Sequence, residues 1–185
     1  NLLSYNYYLN QKDYVEDDYT KNAINELNEK GYFKIGICFT EKECNDFQRF
    51  LENKSFYRGV IPMQSDGKKH SFNFEEVMNN KNEEPYLSFL PEIITFQPIK
   101  NFLSNKKHLN LFNSYLKFDW DIFSVITWFN PPTKIKHQVH SFHRDNDDFK
   151  TLAIFISWTD TNVTTGALNF IESSHRNSKS NKTVI

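Results

Sequence analysis

Glycine, with 5 residues, and proline, with 6, are too scarce in this 185-residue chain for a collagen-like, linker-like or low-complexity protein. The 2 cysteines, Cys38 and Cys44, have neither metal-finger nor thioredoxin spacing, which removes a disulfide framework and a structural zinc site. A reducing, cytoplasmic location is the matching expectation. Excess charge is also missing. With 22 Lys+Arg against 23 Asp+Glu the net charge is -1, so nothing drives binding to a phosphate backbone and no nucleic-acid partner is expected. The longest uncharged apolar-rich run, Thr151 to Thr159, is far short of the roughly 20 residues that span a bilayer, so no membrane span is expected. The start, Asn1 to Asn10, lacks the basic region and small-residue cleavage site of a signal peptide. It also lacks Met, which leads us to expect that the natural start has been trimmed.

What the chain has is aromatic bulk. Its 18 Phe, 9 Tyr and 3 Trp make up 16% of the residues and supply the apolar surface of a packed core, despite a mean hydropathy of -0.65. A mass of 22.0 kDa fits one domain with elaboration, 1–185.

Periodicity divides that domain. Ala23, Ile24 and Leu27 have helical spacing within Asp17 to Lys30, and Gly31 follows as a helix C-cap. Tyr32 to Ile37 alternates like a strand, and Thr40-Glu41-Lys42-Glu43 is a capping box that opens a helix through about Asn53. Lys54 to Asn82 reads as short strands and loop. Leu87, Leu90, Ile94, Phe96, Ile99 and Phe102 predict a helix between Pro85 and Ser104, interrupted at Pro91 or Pro98. From Leu109 the pattern changes to β-rich runs, Ile122 to Phe129, Thr151 to Trp158 and Ala167 to Ile171, broken by turn-forming clusters. Helices first and closely spaced strands later predict an α+β fold, with a helix-rich part over 1–108 and an antiparallel sandwich or jelly roll over 109–185.

The densest ionisable cluster, His137 to Asp145, precedes the most apolar of these runs. On an extended segment side chains at i and i+2 share a face, so His143 and Asp145 point together and Arg144 points away. One imidazole and one carboxylate are two of the three ligands of a facial 2-His-1-carboxylate Fe(II) site. His137, His140 and His143 recur at helical spacing, which could suggest zinc, but Pro131, Pro132 and Thr133 oppose a helix there. The plain alternative is a turn in which a histidine donates to a nearby carboxylate.

Phe142-His143-Arg144-Asp145 matches a W/F-H-x-D metal motif, and the apolar run Ile154 to Asp160 follows it. Gly166-Ala167-Leu168-Asn169-Phe170-Ile171-Glu172-Ser173-Ser174-His175-Arg176 is similar to N-G-x-L-x-x-x-P-G-S-H, with Ser173-Ser174 replacing the Gly-Ser turn. Asn130-Pro131-Pro132 supplies an upstream Pro turn, and Gly31-Tyr32-Phe33 with the Thr40 helix an opening glycine–aromatic strand and helix. In this order the blocks resemble the phytanoyl-CoA dioxygenase-like Fe(II)/2-oxoglutarate oxygenases. The resemblance implies a double-stranded β-helix core, His143 and Asp145 as iron ligands, Trp158 against 2-oxoglutarate, and Ile126 beside the same cosubstrate. Trp158 can equally be a core aromatic, and for Ile126 a plain core residue is the favoured alternative. His175 belongs to the "SH" turn, which is structural in the family.

The family also places a second iron-binding His, and an Arg that pairs with the far carboxylate of 2-oxoglutarate, beyond the "SH" turn. This sequence stops at Ile185, so further C-terminal strands are expected to supply both. The activity implied is hydroxylation of a small-molecule or lipid-like substrate using Fe(II), 2-oxoglutarate and O2, with release of succinate and CO2. Asp145 disfavours halogenation, for which relatives carry a small residue at this position. Two other classes stay open: a non-catalytic jelly-roll binding module, and a cupin-like metalloenzyme that recruits His140 or His137 and does not use 2-oxoglutarate.

Overall fold

The computed structural model describes residues 17–58, 71–79, 86–88, 91–122, 124–130, 141–143 and 150–176. Most of its helices begin at a residue whose side chain accepts from a backbone N–H that the helix leaves without a partner. In α1 (Asp18–Lys30) the Asp17 carboxylate accepts from the Thr20 N–H at 2.7 Å, and Gly31 closes the helix at φ +87° with its N–H on the Leu27 carbonyl at 3.1 Å. In α2 (Glu41–Glu52) the capping box is complete: Thr40 N–H donates to Glu43 Oε2 at 2.8 Å, and Glu43 N–H donates to Thr40 Oγ1 at 3.2 Å. Between these helices, Tyr32 to Ile37 pairs with no strand among the described residues. Phe33 and Ile35 still face the core, but Gly36, at φ +98°, breaks the alternation and leaves Ile37 99% exposed.

The helix expected from Pro85 to Ser104 is split, because proline removes a backbone donor and disfavours helix in the residue before it. Tyr86–Ser88 is a strand, β3; Pro91–Thr95 is a 3₁₀ turn; only Gln97–Ser104 is α-helical, as α4 with Pro98 in its first turn. The next helix, α5 (Lys106–Leu116), starts at Asn105, whose side chain accepts from Lys107 N–H.

The polar middle of the chain does form short strands. β1 (Phe56–Arg58) and β2 (Ser71–Phe72) join β3 and β4 (Thr127–Phe129) in an antiparallel sheet of order β2-β1-β3-β4. A further helix, α3 (Phe74–Asn79), follows β2. Asn73 N–H donates to Glu76 at 2.9 Å and Glu76 N–H donates to Asn73 at 2.8 Å, so Asn73-Phe74-Glu75-Glu76 is a second capping box, legible in the sequence and overlooked there.

Of the later strands expected, Ile122 to Phe129 contributes β4, whereas Thr151 to Trp158 and Ala167 to Ile171 join no ladder among the described residues. In the first, Leu152, Ile156 and Trp158 are half-buried, but Ile154, on the same alternating face, is exposed, as are Ala153, Phe155 and Ser157. A ladder requires a facing backbone as well as an alternating sequence. The described elements therefore make an α+β arrangement of helices with a small antiparallel sheet, and a double-stranded β-helix is not among them. No helix among the described residues is long and apolar enough to cross a membrane.

Two clusters form the core. Phe47 and Leu51 of α2, Phe56 of β1, Val77 of α3, Ile93 of the 3₁₀ turn and Ile99 of α4 make one; Ala23 and Leu27 of α1, Phe102 of α4, Leu111 and Phe112 of α5 make the other. α4 faces both, and Leu103 packs against each. Trp158 stacks on Phe47 at 3.9 Å between ring centroids and lies 4.8 Å from Phe39, which in turn lies 5.8 Å from Phe102. An aromatic path thus connects the two clusters.

Phe47 is fully buried, so Phe47→Ala should cost about 3–5 kcal/mol in urea unfolding, through lost transfer energy and the cavity left behind. Phe118→Ala, at a side chain 47% exposed, should cost no more than about 0.5 kcal/mol. Acid tests the α2 cap. Hydrogen bonds from the Thr40 backbone N–H, and then from its hydroxyl, hold the Glu43 carboxyl below the ordinary Glu range. A carboxylate with a depressed folded-state pKa stabilises above its unfolded value, and this contribution is lost as pH falls through the folded one. Glu43→Gln should therefore be less stable than the wild type at neutral pH, and the two melting temperatures should converge as pH drops below the ordinary Glu range.

Candidate functional site

His143 lies on an exposed bend, two residues after Ser141. Its Nδ1 donates to the Ser141 carbonyl at 2.7 Å, because a carbonyl oxygen can only accept. In the neutral ring this fixes the tautomer and puts the lone pair on Nε2. A bond of that kind, from one ring nitrogen to a backbone carbonyl, is how metal-ligating histidines are oriented. Of the other residues in the expected cluster, Asp145 falls within 144–149, and His137 and His140 fall within 131–140; these lie outside the described residues. No group of three or more His, Cys, Asp or Glu able to hold a metal occurs among the described residues.

Trp158 and Ile126 occupy different settings. Trp158 is half-buried in the first core cluster, stacked on Phe47, with Phe39 and Phe96 at its other sides. Among the described residues its contacts are those of a packing aromatic. Just before β4, Val125 turns into that cluster, and its neighbour Ile126 is 36% exposed. The alternation of an extended chain explains the difference.

The "SH" turn is the best-defined part of the proposed motif region. Ser173 N–H donates to the Lys30 carbonyl at 2.8 Å, and Ser173 Oγ donates to the Glu29 carbonyl at 2.6 Å. The Asn28 carbonyl accepts from both His175 Nε2, at 3.1 Å, and Arg176 Nε, at 2.6 Å. The last carbonyls of α1, which have no partner within the helix, are thus capped by a segment more than 140 residues away. Tyr32 joins the contact: its ring stacks on Phe170 at 5.1 Å, and its hydroxyl donates to Glu172 at 2.8 Å, which pushes the Tyr32 pKa up. His175 therefore has a structural contact with α1. The sequence signals the turn, but its partner is set by tertiary packing.

A cavity of about 350 Å³, not anticipated from sequence, lies beside the N-termini of α2 and α5 and is lined by Tyr19, Cys38, Phe39, Glu43, Asn105 and His108, among others. Burial pushes the Cys38 thiol up, His108 Nδ1 donates to the Phe102 carbonyl at 2.8 Å, and Glu43 serves the α2 cap. Cys38 and Cys44 are both free thiols.

Gly31 is where the turn and α1 meet most closely. A Cβ there would come within 2.6 Å of His175 Nδ1, and φ +87° is itself strained for any other L-residue. Gly31→Ala should destabilise by more than the roughly 1 kcal/mol of an αL alanine in thermal or urea unfolding. In a His175→Ala background the steric part should vanish and only the backbone part remain; equal costs in both backgrounds would show that the ring does not press on Gly31. The chain matches no protein-family model, no curated protein and no solved structure.

Proposed function

We propose that the protein is an Fe(II)- and 2-oxoglutarate-dependent dioxygenase of the phytanoyl-CoA dioxygenase-like kind, hydroxylating a small-molecule or lipid-like substrate. The structural observation that supports this reading is the orientation of the His143 ring, whose Nδ1 donates to the Ser141 backbone carbonyl, the kind of bond that orients metal-ligating histidines. The donor types suit the metal, since imidazole and carboxylate nitrogen and oxygen ligands are those of a facial Fe(II) site.

In this reading His143 and Asp145 would hold the iron, and the second His and carboxylate-binding Arg that the resemblance implies would complete the site. When bound, Fe(II) with 2-oxoglutarate and O2 supplies oxidative decarboxylation to succinate and CO2 coupled to hydroxylation of a substrate C–H. Ser141 orients the His143 ring. Trp158, its ring held by Phe47, and Ile126 are the residues that the resemblance would set beside the cosubstrate. The free thiols Cys38 and Cys44 suit a reducing cytoplasm, where we place the protein.

Anaerobic titration of the natural protein with Fe(II) and then 2-oxoglutarate tests the reading. The expected result is the weak visible charge-transfer band of a bidentate 2-oxoglutarate–iron chelate, present in the wild type and lost in His143→Ala. Tight metal binding with no response to 2-oxoglutarate would point to a cupin-like metalloenzyme. Binding of neither by folded protein would leave a non-catalytic jelly-roll module.

A further inference from the structure

From Thr159 to Arg176 no residue is buried, and only Ala167 and Ser174 are half-buried. This stretch has little of the apolar burial that gives a segment global stability. What holds its end is a set of polar bonds to the last turn of α1, at Asn28, Glu29 and Lys30, together with the Tyr32–Phe170 stack. The donors Ser173, His175 and Arg176 are exposed, so water competes for every one of these bonds. Ser173 also sits at φ +59°, a left-handed conformation that costs a non-glycine residue energy and persists only while its surroundings impose it. The attachment is specific in geometry and thin in burial.

The dependence runs both ways. Without the strap, the Asn28, Glu29 and Lys30 carbonyls lose the protein partners that cap them. Without the left-handed closure at Gly31, the Lys30 carbonyl and the His175 ring are not placed to receive each other's segments, because the ring occupies the space a Cβ would fill. The core lies elsewhere: Ala23 and Leu27 of α1 are held by Leu111 and Phe112 of α5, and none of the strap residues belongs to either cluster.

We propose that the Phe170–Arg176 strap and the C-terminal turn of α1 form one latch, which opens and recloses as a unit while both core clusters stay intact. The latch is independent of the dioxygenase reading, and its opening would uncover the Tyr32 hydroxyl and the last carbonyls of α1.

Native-state hydrogen exchange followed by NMR at increasing, sub-denaturing urea tests it. The reporters are the Ser173 amide on the Lys30 carbonyl, the Arg176 amide on the Ser173 carbonyl and the Gly31 amide on the Leu27 carbonyl. These three should share one opening, faster than that of Leu111 and Phe112 in α5 and almost independent of urea. The His175→Ala/Arg176→Ala variant, which removes both bonds to the Asn28 carbonyl, should speed exchange at Ser173 and Gly31 together by about tenfold and leave Leu111 and Phe112 unchanged. The latch is overturned if the three reporters follow the urea dependence of Leu111 and Phe112. It is equally overturned if the variant speeds Ser173 while Gly31 stays at its wild-type rate.

Discussion

The stack of Trp158 on Phe47, 3.9 Å between centroids, joins the later part of the chain to its first helices. Phe47 is the fully buried centre of the cluster formed by α2, β1, α3 and α4, and Trp158 arrives from a run that joins no ladder among the described residues. Aromatic stacking contributes about 0.5–1.5 kcal/mol beyond area burial, and the path through Phe39 to Phe102 extends the contact to the second cluster. Leu152, from the same run, packs against that second cluster. One extended segment thus touches both halves of the core.

α4 makes this arrangement possible. It is only eight residues long, yet Ile99 and Phe102 enter different clusters and Leu103 touches both. A helix with apolar residues on two faces must be covered on both, so α1 and α5 pack on one side and the α2–sheet layer on the other. Pro98 places the start of that helix and so fixes which residues reach which side.

Elsewhere the chain relies on capping between distant segments. The Lys150 ammonium donates to the Tyr115 carbonyl and lies 4.4 Å over its ring, near the end of α5, much as Ser173, His175 and Arg176 serve the end of α1. A helix C-terminus presents unpaired carbonyls and partial negative charge, which cationic and donor groups complement. The histidine of the "SH" turn is thereby assigned a structural partner, while His143 keeps an orientation compatible with metal ligation.

Local chemistry explains what could be read from the sequence alone. The Thr40–Glu43 box, the Gly31 C-cap and the breaks at Pro91 and Pro98 depend on residues within a turn of one another, so they were determined by sequence. The strand at Tyr86–Ser88, in a stretch with helical spacing, required β1 and β4 as neighbours. The absence of a ladder for Thr151 to Trp158 among the described residues, the stacking of Trp158 on Phe47 and the docking of His175 on Asn28 were decided only by tertiary structure. Hydrogen-bond ladders, ring stacks and long-range caps need two distant segments to meet, and side-chain periodicity records burial without naming the partner.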